Sequence, residues 1–323
     1  MFLLLPLQTG GGSRECRYKG ETMKVLNFGS LNLDYVYKVD HMVARGETET
    51  CHARNTYYGG KGLNQSVALS RAGAPVYHAG NVGSAGLVLL RELENAGVNT
   101  GYVKVLEDVP TGHTVIQNDR EGDNCILLFS GANRCVTPEQ VDEVFRGFSA
   151  GDWIILQNEI NALALIMAKA REKGMVLVFN PSPADERLRD LPLGDVDWFV
   201  LNEIEAGQLT GVSSENPEEL LAALHARFPG AKIVLTLGSD GSMYSDGQTV
   251  LRQGIYKTAA VDTTAAGDTF TGYFIAGIIQ GDSPAEALNR ATMASSICVS
   301  REGAAPSIPA LHEVQSALSA ISK

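Results

Sequence analysis

The sequence predicts an α/β fold built on a mostly parallel sheet, and three of its features lead there. From Met23 onward, short apolar runs rich in β-branched and aromatic residues alternate with amphipathic segments of helical period. Polar side chains gather just after the runs, and two stretches of strand-like alternation interrupt the rhythm. Regular strand and helix alternation is the pattern of a parallel sheet covered by helices. Ligands in such sheets bind beyond the carboxyl ends of the strands, so the residues that follow each run are the candidates for chemistry.

In chain order, the runs at 25–28, 76–79, 153–156, 176–179, 198–201 and 233–237 read as strands. The segments at 63–72, 87–96, 138–148, 162–173 and 217–228 read as the helices between or beside them. Residues 35–58 and 111–129 break the pattern. His113, Thr114, Val115 and Ile116 alternate, and Glu121-Gly122-Asp123-Asn124 has turn chemistry, so hairpins of a small antiparallel element are expected beside the strand ends. Such an element would act as a lid over a substrate, or serve simply as an extra edge sheet. Phe270, Phe274, Gly277 and Ile278 fall at i, i+4, i+7 and i+8, which predicts a helix beginning near Ala266 with one face inward. Residues 2–7 are apolar but far short of the roughly 20 that span a bilayer, and they lack the basic n-region and Ala-x-Ala site of a signal peptide. Residues 1–22 are expected to be a disordered extension and 23–323 the folded domain.

The chain has 323 residues, enough to bury a large core, and a formal net charge of -11. Nucleic acid or an anionic membrane would require a basic patch, so neither is an expected partner. The five cysteines, Cys16, Cys51, Cys125, Cys135 and Cys298, are odd in number and form no C-x-x-C, which reads as the reduced thiols of a cytoplasmic protein. The six histidines lack metal-ligand spacing and read as surface or loop residues. No serine occupies a Gly-x-Ser-x-Gly elbow, which disfavours a hydrolytic triad.

The densest site signal is Asp262-Thr263-Thr264-Ala265-Ala266-Gly267-Asp268-Thr269-Phe270. N–H groups in the first turn of a helix lack intrahelical acceptors and sit at the positive end of its dipole, so this opening suits an anion. Asp268 would repel a bound phosphate unless it takes the proton of the group attacking that phosphate, which makes phosphoryl transfer the leading chemistry. Gly59-Gly60-Lys61-Gly62-Leu63-Asn64-Gln65 enters a helix with Lys61 and Asn64 as donors. It fits neither a P-loop nor a dinucleotide fingerprint, and a plain helix-entry turn would not need the lysine. In Gly29-Ser30-Leu31-Asn32-Leu33-Asp34, the Asn32 and Asp34 pair suits the vicinal hydroxyls of a sugar, though both residues also form turns. Gln157-Asn158-Glu159 and Asn202-Glu203-Ile204-Glu205 each follow a run; Asn202 equally suits a plain N-cap, and Glu205 an exposed helix face. Thr236-Leu237-Gly238-Ser239-Asp240-Gly241 suits either a nucleotide or a hairpin turn.

Taken in order and spacing, and with Asn180-Pro181-Ser182-Pro183 added, these motifs resemble those of the ribokinase or PfkB-type family of carbohydrate kinases, from about Lys24 to the C-terminal helix. The resemblance implies a ribokinase-like twisted, mostly parallel central sheet with helices on both faces, and a small β-sheet lid through which two copies form a homodimer. It implies ATP-dependent phosphorylation of a sugar hydroxymethyl, with D-ribose to ribose 5-phosphate as the leading reaction. Asp268 is then the base, and the amides of Ala265, Ala266 and Gly267 form the anion hole. Asn32, Asp34, Gly60, Lys61, Asn64 and Glu159 match the family's sugar contacts. Asn202, Thr236, Gly238, Ser239, Asp240 and Gly241, with Gly267, match its ATP contacts, and Glu205 its magnesium motif, acting through water. Asp262, Thr264, Val299, Arg301, Gly303 and Ser307 match a monovalent-cation site for potassium, mostly through backbone carbonyls.

Two positions and one short segment depart from the family's pattern. Thr264 stands where an apolar residue is common, Thr292 where a histidine often packs on adenine, and Gln157-Asn158-Glu159 differs from a common Leu-Glu. Nucleotide and sugar preference are thereby left open. A kinase of the same family acting on a ketose, a keto-sugar acid or a nucleoside is the alternative, with Arg45 and Arg54 suited to an acid and Tyr57 and Tyr58 to a base. A sugar-binding sensor without catalysis is the non-enzyme alternative. A dinucleotide-dependent oxidoreductase would need a glycine fingerprint that the chain lacks.

Overall fold

The computed structural model describes residues 23–121 and 123–321; residues 1–22, expected as an extension and including Cys16, Gly122 of the expected turn, and residues 322–323 lie outside the described residues. In chain order the strands are β1 (Val25–Phe28), β2 (Asn32–Lys38), β3 (Ala53–Gly59), β4 (Val76–Gly83), β5 (Asn99–Leu106), β6 (Gly112–Asn118), β7 (Asn124–Phe129), β8 (Trp153–Gln157), β9 (Val176–Asn180), β10 (Trp198–Asn202), β11 (Lys232–Thr236), β12 (Ser242–Ser245) and β13 (Val250–Gln253). The α-helices are α1 (Lys61–Arg71), α2 (Leu87–Asn95), α3 (Pro138–Phe145), α4 (Leu163–Lys173), α5 (Glu203–Thr210), α6 (Pro217–Arg227), α7 (Ala266–Gln280), α8 (Pro284–Val299) and α9 (Leu311–Ile321).

Nine strands form the main sheet, in the order β13-β12-β11-β10-β9-β8-β1-β4-β5. Every pairing from β11 to β5 is parallel, and only the β11–β12 and β12–β13 edge is antiparallel. Side chains alternate between two cores, as the period of a strand requires. Trp153 and Ile155 of β8 join one cluster with residues of α1, α2, α7, α8 and α9, while Ile154 and Leu156 join another with α3, α4, α5 and α6. Both faces are therefore covered, which is why the strands read as unbroken apolar runs. Strand order reverses between β1 and β8, so the segments after them, Gly29-Ser30 and Asn158-Glu159, flank the switch point where open α/β sheets bind ligands.

The second sheet has the order β3-β2-β6-β7. Its two hairpins are antiparallel, but β2 and β6 pair parallel, with Asn32 opposite Gly112, so the expectation of an antiparallel element is corrected to a mixed sheet. Strands so far apart in sequence share no turn, and their pairing leaves no local signature. β2 starts at Asn32, which makes Asn32 and Asp34 neighbours on one face of a strand, where the sequence equally allowed a turn. On the outer strand β7, Ile126, Leu127, Leu128 and Phe129 are all exposed, Leu127 by 70%.

Each foreseen run is a strand and each foreseen segment a helix, with β4 longer and α3 shorter than expected. The β5 edge and the β12–β13 hairpin were not foreseen. β5 is half-exposed along its length and β12 buries serines, so neither has an apolar run. One histidine also departs from expectation. His78 is fully buried in β4, its Nδ1 2.8 Å from Ser66 Oγ, and burial pushes its pKa down to about 4.

Candidate active site

The site begins with how β3 hands over to α1. Gly60 caps the helix at φ 90°, a conformation that side-chain-bearing residues rarely adopt. Directly before it, a Cβ on Gly59 would stand 2.0 Å from Asp34 Oδ2, so this glycine makes room for a carboxylate on the neighbouring strand. The first two turns of α1 then deliver two amides to one carboxylate. Asn64 Nδ2 donates to Asp268 Oδ2 at 3.0 Å, and Gln65 Nε2 to Asp268 Oδ1 at 2.9 Å. Gln65 was quoted in the motif but given no role by sequence reasoning.

Asp268 lies in the first turn of α7, whose N-cap, Ala265, holds the left-handed conformation (φ 61°, ψ 5°) without a side-chain cap. That conformation costs a non-glycine residue roughly 1 kcal/mol, and such strain collects at functional sites. The Ala266 N–H donates to the Thr263 carbonyl at 3.2 Å, whereas those of Ala265, Gly267 and Asp268 meet no acceptor among the described residues. They border a cleft of ≈ 210 Å³ that Lys61, Asn180, Asn202, Glu205 and Thr236 also line.

Charge is concentrated where α1 meets the switch point. Burial alone would lower the pKa of Lys61, but the carboxylates of Asp268, Glu159 and Glu205 outweigh it and raise the pKa, which keeps the ammonium charged. Glu159 accepts from the Lys61 N–H at 3.1 Å and from the Ser30 hydroxyl, bridging the segments after β1 and β8. Burial raises its pKa, against the opposing pull of Lys61. Asp34 accepts from Thr114 Oγ1 at 2.6 Å; burial pushes its pKa up to about 6 despite that bond, with the charge of Glu159 adding to the rise. Asn32 is buried, and its Oδ1 accepts from Asn133 Nδ2 at 2.7 Å. Asn133 also takes the Leu31 N–H at 2.9 Å, a positioning role that no sequence signal announced.

On the other side of the cleft, Asn202 and Glu205 form a reciprocal capping box. Asn202 Oδ1 accepts from the Glu205 N–H at 2.9 Å, and Glu205 Oε2 from the Asn202 N–H at 3.0 Å. The exposed-face reading of Glu205 is corrected: the residue is 6% exposed and faces the cleft. The 236–241 segment joins β11 to β12 through a tight turn closed by Leu237 N to Gly241 O at 2.8 Å, so it is a hairpin turn at the cleft edge. Within that turn Gly238, Ser239 and Asp240 are exposed. Thr292 is buried on α8, its Oγ1 without a partner among the described residues.

Beneath the α7 opening, Asp262 ties two segments together, accepting from Thr264 N at 2.8 Å through Oδ1 and from Gly303 N at 3.0 Å through Oδ2. The Val299 carbonyl is committed to Val261 N at 2.8 Å and Asp262 N at 3.2 Å, which fills both its lone pairs. Ser307 Oγ donates to the Ala304 carbonyl at 2.7 Å, and the Arg301 side chain pairs with Glu313 at 2.6 Å.

A doubly wound sheet with a carboxylate seated at a helix N-terminus, beside a charged lysine, is the framework of a phosphotransferase with an alcohol group as acceptor. Comparison with known proteins agrees. The family model described as pfkB family carbohydrate kinase matches residues 22–311, and the chain belongs to that family. It is 34% identical over 301 residues to a ribokinase of Staphylococcus aureus, covering 91% of this chain and 99% of that one. The fold is similar to a crystal structure of ribokinase from Cryptococcus neoformans in complex with ADP (TM-score 0.80, 32% identity, 92% of this chain and 100% of that one). It is similar also to Arabidopsis thaliana ribokinase complexed with ribose and ATP (TM-score 0.82, 29% identity, 92% and 99%).

Proposed function

We propose that the protein transfers the γ-phosphoryl group of ATP to the 5-hydroxyl of D-ribose. The observation that carries this reading is the seat of Asp268, whose carboxylate is gripped by Asn64 and Gln65 at the mouth of α7 while Lys61 stays charged beside it. Asn32, Asp34, Gly60, Lys61, Asn64 and Glu159 hold the sugar. Asp268 takes the proton of the hydroxymethyl as its oxygen bonds to phosphorus, and ADP leaves with the electron pair of the broken bond. N–H groups of Ala265 and Gly267 meet the charge on the transferring group, joined by Ala266 once its bond to Thr263 gives way.

Asn202, Thr236 and the 238–241 turn take the nucleotide. A magnesium ion would be carried by the nucleotide phosphates and touched by Glu205, which lines the cleft, through water. When bound, magnesium neutralises phosphate charge. Potassium would sit between Asp262, Thr264 and the 299–307 segment, with Arg301, Gly303 and Ser307 contributing; Val299 would join only by releasing an N–H. The β2-β3-β6-β7 sheet is read as the lid, and its exposed β7 as the surface through which two copies form a dimer. Among the described residues no helix is long and apolar enough to cross a membrane, and a cytoplasmic location is part of this proposal.

Two of the alternatives, a keto-sugar acid and a nucleoside as acceptor, lose support from geometry. Arg54 is exposed and stacks on the Tyr35 ring at 5.5 Å, and Arg45 is exposed as well. Tyr58 packs on the core and Tyr57 lies against Gly303. Neither an acid site nor a base pocket is built from them. A coupled ADP-release assay over ribose, 2-deoxyribose, fructose, adenosine and 2-keto-3-deoxygluconate tests the reading: ribose should give the highest kcat/KM, and a tenfold better rival would replace it.

A further inference from the structure

Behind Asp268 runs a buried chain of side-chain amides. Gln65 Nε2 donates to Asp268 Oδ1 at 2.9 Å and to Asn180 Oδ1 at 3.2 Å, while Gln65 Oε1 accepts from Gln157 Nε2 at 2.7 Å. Gln157 Nε2 donates a second time, to Asn27 Oδ1 at 3.1 Å, and Asn27 Nδ2 donates to the Gly62 carbonyl at 3.0 Å. Asn180 Nδ2 ends the side branch on the Val200 carbonyl at 2.8 Å. Asn27 and Gln65 are fully buried, Gln157 is 1% exposed, and none of the three lines the cleft.

The direction of every amide in this chain is dictated by its ends. A carboxylate and a backbone carbonyl can only accept, so a path of amides from Asp268 to Gly62 must reverse once. At the reversal one amide gives both N–H groups to the path and leaves its own carbonyl outside it. That amide is Gln157, and its Oε1 is buried with no partner among the described residues. Turning Gln157 over would set its carbonyl against those of Gln65 and Asn27. Turning Gln65 over would set a carbonyl against the Asp268 carboxylate. Gln157 thus spends both its N–H groups on fixing the orientation of its two neighbours.

We propose that Gln65 and Gln157 are positioning residues for the phosphoryl transfer. Gln157 locks the rotation of the Gln65 amide so that its N–H points at Asp268 Oδ1, and with Asn64 on Oδ2 this fixes the carboxylate plane and aims its remaining lone pairs at the sugar hydroxyl. The inference rests on Asp268 being the base.

Gln157→Met keeps the volume and removes both donations. Its kcat should fall about tenfold to a hundredfold, as expected for a small misalignment of a reacting group, with the KM for ribose and for ATP within about twofold of the parent. Gln65→Glu keeps the shape but sets an oxygen against Asp268. Two facing carboxylates share a proton, so the acid limb of the kcat–pH profile should move up by about one unit or more. If Gln157→Met does not fold, the isosteric Gln65→Glu carries the test. A lowered Tm with kcat within twofold for Gln157→Met, or an unmoved profile for Gln65→Glu, overturns the proposal. Asp268→Asn is measured alongside. Full turnover there would overturn the base itself, whereas an inactive Asp268→Asn beside normal glutamine variants would overturn only the positioning role.

Discussion

Thr114 Oγ1 donates to Asp34 Oδ1 at 2.6 Å, joining β6 to β2 across their parallel pairing and fixing a carboxylate that burial has lifted to a pKa of about 6. As an ionised acceptor for a sugar hydroxyl, Asp34 should lose strength as pH falls through about 6, and the KM for ribose should rise there. The sign for stability is opposite. A folded-state pKa above the unfolded 3.8 means the sugar-free protein loses stability as pH climbs from about 4 to above 6, by about 3 kcal/mol at most. Asp34→Asn should therefore raise Tm more at pH 8 than at pH 5 while raising the ribose KM at pH 8. A ribose KM flat from pH 5 to 8 would count against the assignment.

Gly59→Ala probes the same carboxylate sterically. The new Cβ would stand 2.0 Å from Asp34 Oδ2, the movable end of a side chain, so Asp34 swings aside and the fold survives. The ribose KM should rise about tenfold, worth about 1.4 kcal/mol, with kcat and the KM for ATP nearly unchanged. A fall in kcat alone would show that the glycine serves the transfer step.

The proposed potassium site lies where Asp262 clasps Thr264 and Gly303 under the α7 opening. Rates measured in potassium should exceed those in tetramethylammonium, and Asp262→Ala should raise the potassium concentration needed for half-activation. Equal rates in the two salts would remove the cation from the account.

Leu127 is 70% exposed beside Ile126, Leu128 and Phe129 on an outer strand, the kind of edge that proteins pair or protect. Light scattering should find a dimer for the parent protein and a monomer for Leu127→Lys. A monomeric parent at micromolar concentration would refute the interface.

Much of this architecture was legible because a parallel sheet buried on both faces writes its strands as apolar runs, and because the candidate site segments follow those runs with backbone-driven glycine motifs. The cradle at 265–268 and the Asn202 cap could be read locally. What escaped reading was long-range. The β2–β6 pairing has no connecting turn, and nothing in Asn133 announces that it holds Asn32. The spacing of Glu205 suits a capping box and a metal motif alike, so only the structure could tell an exposed helix face from a buried residue at the cleft. The amide chain was equally hidden, since Asn27, Gln65, Gln157 and Asn180 come from four different elements.

Lys61, Asn64 and Gln65 all stand in the opening turns of α1, so the grip on Asp268, the proposed base, and part of the proposed grip on the sugar belong to one rigid rod. On that reading selectivity and speed are inseparable on the helix: a change that retunes α1 for another sugar should also tilt Asp268. Divergence toward new substrates has its freedom on β2 and β6, where Asp34 and Thr114 bond to each other and not to that helix.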